Sequence, residues 1–256
     1  VKVTVIGCSG SFAGPTSPAS SYLVQADDAD GRTWNLLLDL GSGALGPLQQ
    51  HIDLPDLSAV ALSHLHPDHC ADVCGLYVTR KYHPTATYAG RLPVWGPRDA
   101  ADRIALAYHG LGEEGMGAEF DFRGLADGVS FDVGPMTVTP FRVNHPVEAY
   151  GFRVEAGGVV VAYTGDTDST PALTPLLAGA DLALVDCAFV DGRDETRDIH
   201  LTGSRAALAA VGAGGVKRFV LTHLPAWNDP DVCRAQAAAI WPGEVEVATA
   251  GTAYDL

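Results

Sequence analysis

The sequence predicts an α/β fold in which two facing β-sheets are covered on their outer faces by helices. Short runs rich in β-branched and aromatic residues recur along the chain, each bounded by Gly, Pro, Asp or Asn. Ala/Leu-rich stretches of helical character separate some of them. The order is not a strict alternation, because residues 136–164 hold three strands with only turns between them. That grouping disfavours a doubly wound sheet or an eight-stranded barrel and favours layered sheets.

In chain order the predicted strands are Val1–Ile6, Ser21–Gln25, Trp34–Leu40, Ala59–Ser63, Met136–Asn144, Tyr150–Glu155, Val159–Thr164, Leu182–Phe189, Arg218–Thr222 and Glu244–Thr249. The predicted helices are Ala71–Tyr82, Arg98–His109, Ser204–Ala213 and Asp229–Ile240. Leu111–Gly128, rich in Gly and acidic residues, reads as a long surface loop in preference to a mobile flap. No internal repeat or low-complexity segment interrupts the pattern. With 256 residues, 47% of them hydrophobic, a single domain over 1–256 is large enough to bury roughly three-quarters of its extended surface.

No apolar run of about 20 residues and no basic-then-apolar leader is present, so a soluble protein is expected. Val1 as first residue carries the expectation of a longer native amino terminus. Five widely spread cysteines, Cys8, Cys70, Cys74, Cys187 and Cys233, fit reduced thiols in the cytoplasm better than a disulfide framework. The formal charge of −15, from 16 Lys+Arg against 31 Asp+Glu, opposes a main task of gripping long nucleic acid, which needs clustered cations. A small anionic substrate stays open, since a bound metal changes the local charge.

The run Ser63-His64-Leu65-His66-Pro67-Asp68-His69 leaves a predicted strand. Pro67 argues against a continuous helix through it and for a turn that points side chains into a common space. A lone histidine is usually structural, but three with an aspartate inside six positions suit a borderline cation such as zinc. Asn144-His145-Pro146, Thr164-Gly165-Asp166-Thr167 and Leu221-Thr222-His223 also fall at the ends of β runs, where a sheet scaffold presents a site. Neither Gly-x-Ser-x-Gly nor a Walker A run offers competing chemistry.

This set of motifs resembles the metallo-β-lactamase superfamily, in an order that covers most of the chain. The resemblance implies a four-layer αββα sandwich. It assigns His64, His66 and His145 to one metal and Asp68, His69 and His223 to a second, with Asp166 bridging both. Asp39, in Leu38-Asp39-Leu40-Gly41, matches an early aspartate that orients ligands. Two Zn²⁺ ions are implied, although Mn²⁺ or Fe²⁺ suits the same donors; a bridging water between them would be the nucleophile. Asp72 stands where many relatives have glycine. Cys70 and Cys74 read as small buried hydrophobes rather than a thiolate pair.

Asp198-Ile199-His200-Leu201-Thr202-Gly203 before an Ala-rich stretch resembles the ribonuclease Z-like branch, which implies that His200 is a general acid facing a scissile phosphate. Asp186 lies where a carboxylate holds that histidine's tautomer, or else serves only the fold. Ribonuclease Z carries a tRNA-binding arm between its third histidine motif and its bridging aspartate, but His145 and Asp166 are only 21 positions apart, already filled by two strands. The opening Val5-Ile6-Gly7-Cys8-Ser9-Gly10-Ser11, the stretch Gly75–Pro84 and Leu224-Pro225-Ala226-Trp227 resemble bacterial cyclic-nucleotide phosphodiesterases of this branch.

The expected activity is therefore hydrolysis of a 3′,5′-cyclic nucleotide, cAMP foremost, to the 5′-monophosphate, with Asp68 and His200 as catalytic residues. The alternatives are a tRNA 3′-processing endoribonuclease and an acyl hydrolase such as a lactonase. Trp227 reads equally as a base-stacking side chain or a cap on the core. Arg80 and Lys81 read as complements to a helix end rather than phosphate ligands. The expected partner is a small phosphodiester rather than long nucleic acid, with no membrane; dimers are common in the branch it resembles, which leaves a homodimer open.

Overall fold

The computed structural model describes residues 1–110 and 115–256. The first half of the chain forms β1 (Lys2–Gly7), β2 (Ser21–Asp27), β3 (Thr33–Leu38), β4 (Ala59–Ala61), β5 (Leu92–Gly96) and β6 (Phe120–Gly124). Its helices are α1 (Leu45–Leu48), α2 (Pro67–Cys70), α3 (Val73–Tyr82) and α4 (Ala100–His109). The second half forms β7 (Phe131–Val133), β8 (Met136–Arg142), β9 (Tyr150–Ala156), β10 (Val159–Tyr163), β11 (Leu182–Asp186), β12 (Arg218–Thr222) and β13 (Val245–Val247). With them come α5 (Leu173–Leu177), α6 (Gly203–Gly212) and α7 (Pro230–Ala238), and β14 (Ala253–Asp255) returns to the first sheet.

The two halves repeat one plan. Sheet order is β14-β1-β2-β3-β4-β5-β6 in the first and β13-β12-β11-β10-β9-β8-β7 in the second. Each begins with antiparallel neighbours, β1 to β3 and β7 to β10. Parallel crossovers then follow, β3 to β6 and β10 to β13. Parallel strands need a long connection, and the intervening helices supply it.

Side-chain alternation sorts the residues into layers. On β2, Tyr22 and Val24 face the space between the sheets while Leu23 faces the first group of helices. On β11, Leu182 and Leu184 point inward while Ala183 and Val185 meet the second group. The core is thus one apolar layer between the sheets and one under each helical face, the expected four-layer αββα sandwich. Each fully buried Leu or Val contributes about 1.5–3 kcal/mol.

All ten predicted strands and all four predicted helices form, with ends moved by a few residues. The reading of Leu111–Gly128 as a loop is corrected in part: residues 111–114 lie outside the described residues, and Phe120–Gly124 is β6. Phe120 packs into the apolar layer under α3 and α4, with β6 parallel to β5. Pro93 hides β5 in the sequence, since proline normally opposes a strand, and β7 and β14 are three residues each. Pro67 does stop a helix from running through the histidine motif, but it also starts one: α2 begins on it, and Asp68 and His69 sit on that single turn. Among the described residues, no helix is long and apolar enough to cross a membrane.

Candidate metal centre

The carboxyl ends of β3, β4, β8, β10, β11 and β12 deliver Asp39, His64, His145, Asp166, Asp186 and His223. Ligands bind in such crevices of open α/β sheets because loops can converge there without disturbing the core. The loops are also strained. Among the described residues, the non-glycine residues in the left-handed region are Ser11, Asp39, Asp198 and His223, and all four lie in this crevice or in segments leading to it. Gly41 permits a close approach: a Cβ there would overlap the Asp68 carbonyl oxygen. The amide of Leu40 donates to the His69 carbonyl at 2.9 Å, tying α2 to the end of β3.

Among the described residues three groups of donors share Asp166, and two of them contain the expected ligands. One is His64, His66, His145 and Asp166; the other is Asp68, His69, Asp166 and His223. In the first, His64 Nε2 lies 2.9 Å from His66 Nδ1 and 3.5 Å from Asp166 Oδ2, and His66 Nδ1 lies 3.3 Å from His145 Nε2. In the second, His69 Nε2 is 3.2 Å from His223 Nε2 and 3.5 Å from Asp68 Oδ2, with 3.2 Å to Asp166 Oδ1. Zinc–nitrogen bonds of about 2.0–2.1 Å in a tetrahedron give donor–donor edges of about 3.3 Å. Both groups therefore fit a cation, and Asp166 turns one carboxylate oxygen to each. Its Oδ1 is buried and receives no hydrogen bond, a deficit that a cation would remove.

The neighbouring groups fix the imidazole tautomers. A carboxylate can only accept, so His69 Nδ1 donates to Asp39 Oδ2 at 2.7 Å and leaves Nε2 for the crevice. Asp39 is fully buried and also accepts from the Ser63 amide at 2.6 Å, the Ser63 hydroxyl at 2.7 Å and the Tyr163 hydroxyl at 2.8 Å. Having given its proton to Asp39, the Ser63 oxygen accepts from His64 Nδ1 at 3.1 Å. His145 Nδ1 donates to the Ile199 carbonyl at 2.9 Å. Such partners orient ligands and raise their basicity. The motif contained Ser63 without revealing its role, and only the folded arrangement brings Tyr163 to Asp39 and the Ile199 carbonyl to His145.

Burial lowers the pKa of His64, His66 and His145 below the ordinary imidazole range, so these three offer lone pairs at neutral pH. Burial also opposes a proton on His69 and His223, but Asp166 outweighs it, assisted by Asp39 for His69 and by Asp186 and Asp68 for His223. His69 is held well above its usual value and His223 is raised to about 10. Asp68 and Asp166 are lowered, burial notwithstanding, chiefly through His223 and His69. The crevice thus concentrates carboxylate charge that attracts cations, and metal binding would release protons from the second group.

His200 stands beside the second group. Its Nδ1 donates to Asp186 Oδ2 at 3.0 Å, while Asp186 Oδ1 lies 3.3 Å from His223 Nδ1. Asp186 is therefore the carboxylate that sets the His200 tautomer, and it also accepts from the Thr167, Ala188 and Leu201 amides. Burial disfavours a charged His200, but Asp186 raises its pKa.

The remaining residues singled out from the sequence lie elsewhere. Arg80 donates to the Glu119 and Gly90 carbonyls and Lys81 to the Tyr77 hydroxyl, at the end of α3 and outside the donor groups. Cys70 and Cys74 pack against the outer apolar layer, and all five cysteines are free. Asp72 accepts from the Leu45 amide at 2.9 Å and so anchors the start of α1, which accounts for an aspartate there. Trp227 is 64% exposed, which overturns the reading of it as a cap on the core.

A family profile described as "Beta-lactamase superfamily domain" matches residues 34–224. The chain belongs to the metallo-β-lactamase superfamily. Within the superfamily it is similar to an uncharacterized protein of Mycobacterium leprae, 40% identical over all of this chain and 89% of the relative. YhfI of Bacillus subtilis is 30% identical over the full length of both chains. The crystal structure of that metallo-β-lactamase fold protein superposes with a TM-score of 0.84, covering 99% of each chain at 31% identity. A ribonuclease Z of Mycobacterium bovis is 28% identical over 96% of this chain and 95% of its own.

Proposed function

We propose that this chain is a dinuclear zinc phosphodiesterase that hydrolyses 3′,5′-cyclic nucleotides, cAMP foremost, to 5′-monophosphates. Superfamily membership and donor groups able to bind metal make it a metallo-hydrolase, in keeping with the name of the Bacillus subtilis relative, a probable metallo-hydrolase. In this reading His64, His66 and His145 hold one zinc, Asp68, His69 and His223 the other, and Asp166 both; Mn²⁺ or Fe²⁺ suits the same nitrogen and oxygen donors. When bound, such a pair supplies Lewis acidity toward phosphoryl oxygens and acidifies water.

The chain's own residues supply the rest. Asp68, whose Oδ2 lies 3.1 Å from His223 Nε2, would accept a hydrogen bond from the attacking water and orient it. His200, its Nδ1 committed to Asp186, is left with Nε2 to carry the proton given to the departing ribose 3′ oxygen. The observation that carries the proposal is this dyad against the second donor group, with donor atoms of Asp166, Asp186, His200 and His223 within 4.8 Å of one another. A positioned acid of this kind contributes about 10²–10⁴ in rate where the leaving group is an alkoxide.

A second reading, endoribonuclease, is favoured by the full-length similarity to ribonuclease Z. Against it stands the interval from His145 to Asp166, filled by β9 and β10 and the tight Gly157-Gly158 turn, with no room for an arm. A metal-quantified assay comparing cAMP, cGMP, a bis-phenyl phosphodiester, a precursor tRNA and a lactone separates the readings. Turnover of the cyclic nucleotides is expected to exceed the others, and preference for the tRNA or the lactone would overturn the substrate assignment.

A further inference from the structure

Phe12 and Trp227 are large aromatic side chains exposed to water, 40% and 64%, yet they lean on one another with ring centroids 5.0 Å apart and a 38° tilt. Both come from loops anchored at the crevice. Gly10 donates to the Leu224 carbonyl at 3.1 Å, and a Cβ on Gly10 would overlap the His223 carbonyl oxygen, so the first loop lies directly on the second. Ser11, in the left-handed region at φ 63°, brings its amide to 3.3 Å from His223 Nε2. Phe12 follows one residue later, at most about 3.6 Å further along the chain, and Trp227 lies four residues beyond His223.

Further contacts tie down the two loops that carry the rings. The Gly14 amide donates to the Ser17 carbonyl at 2.8 Å and the Asn228 amide to the Pro225 carbonyl at 2.8 Å, while the buried Asn228 side chain donates to the Ala188 carbonyl at 2.8 Å. A pair of touching aromatic rings partly open to water, beside the proposed phosphodiester site, is an arrangement used for sequence-tolerant base stacking.

We propose that Phe12 and Trp227 form a stacking platform for the nucleobase of the substrate whose phosphodiester lies on the donor groups. This rests on the nucleotide phosphodiesterase reading and extends it. Stacking reads the π-face rather than the base edge, so adenine and guanine are held comparably.

The test compares wild type, Phe12→Ala, Trp227→Ala and Trp227→Phe on cAMP, cGMP and 1-O-methylribose 3′,5′-cyclic phosphate, which lacks a base. For Trp227→Ala, KM for both nucleotides is expected to rise about tenfold to hundredfold. Its kcat stays near wild type, the base-free ester is unaffected, and Trp227→Phe retains most of the affinity. Quenching of tryptophan fluorescence by 5′-AMP, absent with ribose 5-phosphate and lost in Trp227→Ala, reports the same contact without turnover. Equal KM changes with and without the base, or none, overturn the platform. A changed sedimentation coefficient with an unchanged nucleotide-to-ester ratio also overturns it, in favour of an interface between copies. Failure of wild type to turn over any cyclic phosphodiester, with 5′-AMP quenching intact, would instead count against the reaction and leave the platform standing.

Discussion

Replacing Asp166 with alanine is expected to cost metal from both groups at once and to lower phosphodiester turnover by on the order of 10³-fold or more, since loss of several kcal/mol of charge stabilisation corresponds to that factor. Its two oxygens face different donor groups, Oδ2 toward His64 at 3.5 Å and Oδ1 toward His69 at 3.2 Å. Among the described residues, Asp166 is the donor that these two groups have in common. Removal would also leave His69 and His223 without the carboxylate that most strongly supports their charge. Metal analysis by mass spectrometry and steady-state kinetics on the same preparation check this. A variant retaining two ions and near-native turnover would remove Asp166 from the centre.

The second large effect is at His200. His200→Ala is expected to lower kcat for cyclic nucleotides by about 10²–10⁴ while leaving bound metal unchanged, because its Nδ1 is committed to Asp186 and neither of the two expected ligand sets includes it. The loss should shrink for a bis-phenyl ester, whose phenolate leaves with less need of a proton. The dependence on leaving group separates an acid from a residue that only shapes the crevice. Near-native turnover of cAMP by the variant would end that role.

Much of the centre was legible before folding because the donors are local in sequence or punctuate strands. His64, His66, Asp68 and His69 fall in one turn, and His145, Asp166 and His223 each follow a β run, so residue type and strand-end position sufficed to place them in one crevice. Their division between two ions came from the family resemblance; in the fold the donors gather in three overlapping groups that all contain Asp166. The supporting contacts could not be read, because they join distant positions: Tyr163 reaches Asp39 across 124 residues, and His145 reaches the Ile199 carbonyl across 54. Phe12 carried no motif and gains meaning only from its contact with Trp227. In the scaffold, β5 was masked by Pro93 and β6 by its Gly-rich surroundings, whereas the alternating runs on β2 and β11 declared their two faces directly.

The most direct test is to strip the protein with a chelator and titrate Zn²⁺ back while bound metal and cAMP hydrolysis are followed together. Activity is expected to be absent from the metal-free protein and to saturate at two ions per chain. Full activity without metal, saturation at one ion, or a fully loaded protein that leaves cyclic phosphodiesters intact would contradict a dinuclear phosphodiesterase.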